Sequence, residues 1–309
     1  MEKLNFHYSV RLDFLKKRAE FLRKIRSFFA DREVLEVETP LLAHAPVSDP
    51  YIDAIETLGV RGYLQTSPEY AMKRLLAMGI GSCFQLCKAF RIDPISPLHN
   101  PEFTLLEWYR LDFNDQDLMQ EVDSLFQTLL SCPPAHRLTY EEAFLKYLNI
   151  SALHTSSDVL KSLFIQKFGP IPHSENFTID DWRMLLFSHG IEPALTGNAP
   201  YFIYDFPASQ AALARLKTPE VAARFEVYMN GIELGNGYHE LQDARFQKIR
   251  FEQDLALRKQ LNKMLVPLDE HLLEAMKAGL PNCAGIAIGI DRLLMIAFDV
   301  KHIQEVAVI

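Results

Sequence analysis

Phe90-Arg91, then a polar loop, then His99-Asn100-Pro101-Glu102-Phe103-Thr104-Leu105-Leu106-Glu107-Trp108-Tyr109 is the stretch whose reading sets the fold. Its flanks read as two antiparallel strands joined by that loop. Strand side chains alternate with a period of two, so Gln85, Cys87, Ala89 and Arg91 share one face of the first strand, and Phe103, Glu107 and Tyr109 share one face of the second. One surface thereby collects a fixed cation, an aromatic ring and a carboxylate. A guanidinium stays charged and binds oxyanions through a bidentate fork, and an exposed Phe offers a plate for a base. That surface suits a nucleotide.

Working outward, Asp13 as N-cap with Leu15, Ala19, Leu22, Ile25 and Phe29 at three- and four-residue spacing predicts an amphipathic helix. Ser67-Pro68-Glu69 predicts a second helix start, with Ser67 at the N-cap, Pro68 at N1 and Glu69 near the positive end of the dipole. A third helix runs from Leu118 to about Leu130, and Ser131-Cys132-Pro133-Pro134 ends it because consecutive prolines remove donors. From Leu138 to about Pro200 the composition turns helical and loop-like. Asn230-Gly231 signals a type I′ hairpin. That turn sets Tyr228 opposite Glu233 and Glu226 opposite Gly235, with Glu226, Tyr228 and Glu233 on one face. In the strand that follows, Ile286, Ile288 and Ile290 make an apolar face, while Gly285, Ala287 and Gly289 make a smooth one that a ligand can approach closely.

At 309 residues and 49% hydrophobic content, the chain can bury a substantial core in one large or two ordinary domains. The net charge of −8 argues against a broad nucleic-acid footprint, which needs Lys and Arg against phosphates. Cys83, Cys87, Cys132 and Cys283 show no zinc-like pairing, and no secretory segment or long apolar run appears. A reduced, cytoplasmic setting away from the membrane is expected.

Three ordered segments are similar to the motifs of class II aminoacyl-tRNA synthetases. Phe90-Arg91 with His99-Asn100-Pro101-Glu102-Phe103-Thr104 resembles motif 2 in its lysyl form. Glu33-Val34-Leu35-Glu36-Val37-Glu38-Thr39-Pro40 resembles motif 1, which builds the dimer interface in that family. Ala284-Gly285-Ile286-Ala287-Ile288-Gly289-Ile290-Asp291-Arg292 resembles motif 3, a strand entering a helix whose first-turn Arg meets the γ-phosphate. Lysyl synthetases carry an anticodon-binding barrel of roughly a hundred residues ahead of this region. Only about a dozen residues precede the first predicted helix here, so no anticodon-binding domain is expected. The chain therefore resembles more closely the truncated lysyl-synthetase paralogues, a ligase family that joins (R)-β-lysine to a lysine of elongation factor P. Thr66-Ser67-Pro68-Glu69-Tyr70, Tyr204-Asp205-Phe206-Pro207-Ala208-Ser209-Gln210 and Gly237-Tyr238-His239-Glu240-Leu241 share that likeness.

The resemblance implies an α+β class II catalytic domain covering 1–309, an antiparallel sheet flanked by helices, with a helical insertion at about 112–200 between motifs 2 and 3. The insertion serves either as structural cover or as a partner contact. The implied reaction makes an aminoacyl-adenylate from ATP and a lysine-like amino acid, then passes the acyl group to elongation factor P. The alternatives are a tRNA-charging enzyme and a catalytically silent, ligand-sensing paralogue. A homodimer through motif 1 is implied, and a protein acceptor rather than tRNA.

Residue by residue, the resemblance makes Arg91 and Arg292 the catalytic phosphate ligands. The ATP site takes in Asp93, His99, Asn100, Phe103 stacking on adenine, Glu233, Leu234 and Gly289. The amino-acid site takes in Ser67, Pro68, Glu69, Tyr109, Asn236, Glu240 and Ala287. Glu69 either complements the helix dipole or binds a substrate amine, and Glu240, past a flexible Asn236-Gly237, pairs with the side-chain ammonium. Glu226 and Glu233 are implied Mg²⁺ ligands, since Mg²⁺ takes a few carboxylates plus phosphate oxygens. Two departures stand out. Ile92-Asp93 replaces the family's Asn-Glu, and Ala287 stands where lysyl synthetases usually have Gly, which suggests a pocket reshaped for an amino acid with a shifted amine.

Overall fold

The computed structural model describes residues 12–306. Along the chain, α1 (Leu12–Ala30) leads to β1 (Leu35–Glu36), the short β2 (Leu42–Ala43) and β3 (Tyr63–Leu64), α2 (Glu69–Ala77), β4 (Cys83–Phe90) and β5 (Glu102–Leu111). Next come α3 (Asp115–Leu130), β6 (His136–Thr139), α4 (Tyr140–Leu148), α5 (Ser157–Phe168), α6 (Ile179–Leu186), β7 (Tyr201–Pro207), β8 (Val221–Met229) and β9 (Ile232–His239). Then follow α7 (Ala244–Gln260), α8 (Glu270–Gly279), β10 (Cys283–Gly289) and α9 (Ile290–Phe298). The residues sort into two compact units. The first holds the chain up to Leu111, Gln242–Pro281 and the part from Ala287 on, and the second holds Asp112–Leu241 and Asn282–Ile286, so β10 is divided between them.

In the first unit the strand order is β1-β4-β5-β10. β1 runs parallel to β4, and β4 pairs antiparallel with β5, Gln85 facing Glu107, Cys87 facing Leu105 and Ala89 facing Phe103. Cross-strand partners project to one side, so the alternation expected from the sequence holds along the whole pair.

The buried stripe of α1 differs from the expected one. It runs through Phe14, Arg18, Phe21, Ile25, Phe28 and Phe29, while Ala19 is exposed and Leu15 and Leu22 are half-buried. The helix also begins before Asp13, which lies in its first turn rather than at its cap. Apolar residues come in adjacent pairs here, Phe14-Leu15, Phe21-Leu22 and Phe28-Phe29, so two overlapping stripes fit the same spacing. The aromatic one is buried because it removes more apolar area from water. Phe29 stacks on Phe84 at 4.5 Å and meets Trp108 edge-on at 5.2 Å, and Phe14 meets Phe298 of α9 at 4.8 Å.

In the second unit the order is β10-β9-β8-β7-β6, with β6 parallel to β7 and the β7–β8 and β8–β9 pairs antiparallel. Three of its helices, α3, α4 and α6, start at capping boxes. Asn114 accepts from the Gln116 and Asp117 N–H groups and Asp117 returns a bond to Asn114, which starts α3 three residues ahead of the expected Leu118. The stretch from Leu138 to Pro200 holds α4, α5 and α6, closed over Tyr140, Phe144, Phe164, Trp182, Leu186 and Phe187. It also holds the end of β6, a strand that the sequence does not announce.

The hairpin at Asn230-Gly231 has both turn residues at positive φ, 52° and 71°, as a type I′ turn requires. Tyr228 faces Glu233 as expected, but the register then slips, so that Val227 faces Gly235 and Glu226 faces Asn236 instead of Gly235. Leu234 is the extra residue of a β-bulge, which re-aims everything after it. Asn236, three residues from Glu233, is thereby brought to the same face. Gly237 is no flexible joint either: it lies within β9 opposite Phe225, and a Cβ there would come within 2.5 Å of that ring.

No helix among the described residues is long and apolar enough to cross a membrane.

Candidate active site

In the first unit the Glu107 carboxylate is a hub. Ser67 Oγ donates to one of its oxygens and the Tyr109 hydroxyl to the other, each at 2.7 Å. Glu107 is only 2% exposed. Burial pushes its carboxyl up to about 7, the nearby Glu69 carboxylate adds to that, and the two hydroxyls and Lys73 pull the other way. Ser67 Oγ also accepts from the Glu69 N–H at 3.0 Å, but α2 opens at Glu69 with Pro68 in the cap position, one residue later than the expected Ser67 cap with Pro68 at N1. Glu69 holds the ammonium of Lys73, one turn on and 2% exposed, at 2.5 Å. A buried ammonium requires such a counter-ion, a role for Glu69 besides the two that the sequence suggests. Lys73 is not among the residues singled out from the sequence, and Glu107, placed there on the surface with Arg91 and Phe103, was given no role of its own. Glu107 was signalled by its parity with Phe103 and Tyr109, and Lys73 by its i+4 spacing from Glu69.

Nearby on the same unit, Arg91 donates through Nε and a terminal nitrogen to the Thr66 carbonyl at 3.3 and 3.2 Å, and its guanidinium lies 5.1 Å from the Phe103 ring centre. Phe103 is half-buried. Arg292 donates to the Leu98 carbonyl at 3.3 Å and lies 2.8 Å from His99 Nε2. Since Arg can only donate, Nε2 must accept, which leaves the proton on Nδ1, 2.8 Å from Ser96 Oγ. Burial and the Arg292 charge lower the pKa of His99 and keep it neutral, with Asp93 acting in the opposite direction. Asn100 receives a bond from Gln304 at 3.4 Å. Ala287 and Gly289 are partly exposed between the buried Ile286, Ile288 and Ile290, whereas Gly285, the third member of the expected smooth face, is buried.

In the second unit one face of the β8–β9 hairpin carries a connected polar network. Arg224 donates to Glu226 at 2.5 Å, to Asn236 Oδ1 at 3.3 Å and to the Gln210 carbonyl at 2.7 Å. The Tyr228 hydroxyl donates to the other Glu226 oxygen, and the Asn236 amide donates to Tyr238 at 2.8 Å. Glu233 is half-buried opposite Tyr228, whereas Leu234 is buried at the bulge. Glu240 is 1% exposed. Its N–H donates to the Cys283 carbonyl at 3.0 Å and its carbonyl accepts from Arg215 at 3.2 Å. Arg224 is another residue the sequence does not nominate; only the bulged register reveals its partners.

Arg91 directly follows β4 of the β4–β5 antiparallel pair, and Arg292 lies in the first turn of α9, just after the strand that carries Gly285 and Gly289. The chain belongs to the class II tRNA synthetases, in the family that takes in the D, K and N enzymes: residues 4–308 match it. Within that family it is 47% identical to the elongation factor P–(R)-β-lysine ligase of Salmonella arizonae, over 94% of this chain and 93% of the relative. It is 48% identical to the protein of the same name from Vibrio cholerae serotype O1, with the same coverage.

Proposed function

We propose that this chain activates (R)-β-lysine, or lysine, with ATP and transfers the acyl group to a lysine ε-amine of elongation factor P. The observation that carries this reading is the match to relatives bearing that name over nearly the full length of both chains. The acidic corner of Glu69 and Glu107 and the deeply buried Glu240 support it, because a dibasic amino acid needs carboxylates at its ammonium groups.

In the first step the amino-acid carboxylate attacks the α-phosphorus of ATP, the bond to the bridging oxygen breaks, and pyrophosphate leaves. Arg91 and Arg292 hold the phosphate oxygens while negative charge builds there. Neutral His99 orients Arg292, and Phe103 stacks on adenine, with Asp93, Asn100, Leu234 and Gly289 completing the nucleotide site. Ser67, Pro68, Glu69, Tyr109, Asn236, Glu240 and Ala287 hold the amino acid. In the second step the acceptor nitrogen attacks the adenylate carbonyl, the C–O bond to AMP breaks, and the amine proton passes to solvent.

Glu226 and Glu233 would hold Mg²⁺, which supplies neutralisation of the triphosphate. The donor set suits a hard cation: each Glu226 oxygen accepts one bond, from Arg224 or Tyr228, and keeps a second lone pair, and metal-binding carboxylates are commonly oriented by such bonds. The reading includes a cytoplasmic homodimer joined through motif 1, with a protein acceptor rather than tRNA.

Lysine-dependent ATP–pyrophosphate exchange tests the first step; no exchange with any lysine-like amino acid overturns it. Incubation with ATP, Mg²⁺, labelled β-lysine and either purified elongation factor P or total tRNA tests the second. Mass gain on one lysine of the factor is expected. Label on tRNA and never on the factor would reassign the acceptor.

A further inference from the structure

We propose that Arg18, Asp291 and Thr104 are positioning residues for ATP, a buried ring of bonds that fixes Phe103 and Arg292 together. One Arg18 nitrogen donates to Asp291 Oδ1 at 2.7 Å and the other to Thr104 Oγ1 at 2.7 Å, while the Thr104 N–H donates to Asp291 Oδ2 at 2.7 Å. The ring joins α1, β5 and α9 of the first unit, and Arg18 and Asp291 are 7% and 3% exposed.

Two members each adjoin a residue read as an ATP ligand, and Arg18 ties the two together. Thr104 follows Phe103, with its side chain on the opposite face of β5, and Asp291 precedes Arg292 in the first turn of α9. All three short bonds close only at one offset between β5 and α9, so the ring sets the distance from the adenine plate to the phosphate cation. A buried ion pair adds little net stability over a well-packed apolar group, so what this one supplies is geometry. The proposal rests on reading Phe103 and Arg292 as ATP ligands, and it adds three residues, one of them on α1, that the nucleotide site depends on.

The test uses the full chain and two readouts. One is the dissociation constant of a non-hydrolysable ATP analogue by calorimetry, and the other is the KM for the lysine-like amino acid in pyrophosphate exchange. Asp291→Asn, Arg18→Met and Thr104→Val should each weaken analogue binding about tenfold or more, since small displacements of binding groups are costly, while the amino-acid KM stays within about twofold. Thr104→Ser, which keeps the hydroxyl, should restore binding relative to Thr104→Val. The Arg18→Met/Asp291→Asn double variant should lose no more than the worse single variant, because the members act as one unit.

Folded variants that bind the analogue like wild type overturn the proposal, as does an equal loss for both substrates. Should Arg18→Met or Asp291→Asn fail to fold, the Thr104→Val and Thr104→Ser pair decides alone. A wild-type chain that binds no analogue overturns the underlying ATP assignment instead, a result distinct from the failure of the ring.

Discussion

Sealed between the hydroxyls of Ser67 and Tyr109, the Glu107 carboxyl keeps its proton to a higher pH than an open one, with a pKa of about 7 against an ordinary 4.5. The raised folded-state value means that this group's contribution to stability is complete below 4.5 and lost as pH rises through 7. Wild-type stability should therefore fall from pH 5 to pH 8 relative to Glu107→Gln, a side chain of the same shape that does not titrate. Urea unfolding at the two pH values checks this; parallel trends in both proteins would mean that Glu107 is ionised throughout. Ala287 offers a second residue-scale prediction. Its methyl lies on the smooth face of β10, so Ala287→Gly should shift activation from β-lysine toward α-lysine by roughly 1–3 kcal/mol. The ratio of exchange rates with the two amino acids measures it, and an unchanged ratio removes Ala287 from selectivity. At this scale the sequence was legible wherever strict alternation carried the information: Phe103, Glu107 and Tyr109 do share a face. The Glu69–Lys73 pair needed knowledge of what was buried, which spacing alone does not supply.

Among the elements, the β8–β9 hairpin shows where period-two reasoning stops. The turn residues and the first pairs follow from Asn230-Gly231, yet the bulge at Leu234 inverts the parity of everything beyond it. In Glu233-Leu234-Gly235 only the glycine hints at a bulge, and a strand glycine equally marks a close backbone approach, so one sequence does not decide between them. The exposed-face error on α1 has a different origin, two apolar stripes one residue apart, resolved only by which set finds a core to fill. β6, four residues long and preceded by Pro133-Pro134, is too short to give a pattern. Gly237 makes the hairpin testable. Placing a methyl against the Phe225 ring, itself fully buried, should cost about 1–3 kcal/mol as overpacking does. Gly237→Ala should lower the urea midpoint accordingly, and an unchanged midpoint would show that the ring yields freely.

For the molecule as a whole, the path of the chain decides when each part can be completed. The second unit is continuous from Asp112 to Leu241 apart from a short piece of β10, while the first is gathered from three separate stretches. Contacts between near neighbours in sequence form sooner than distant ones. In refolding followed by pulsed hydrogen exchange, amides of α4 and α6 should gain protection before those of α1 and α9. Simultaneous protection everywhere would contradict this order. The Arg18–Asp291 bond, 273 residues long in sequence separation, then acquires a meaning during synthesis. The ribosome delivers the guanidinium 273 residues ahead of its carboxylate, so α1 must wait through the synthesis of everything between them for the partner that lets Arg18 leave water. A chain cut short before Asp291 cannot close this bond, and its α1 keeps a guanidinium with no carboxylate to meet at that position.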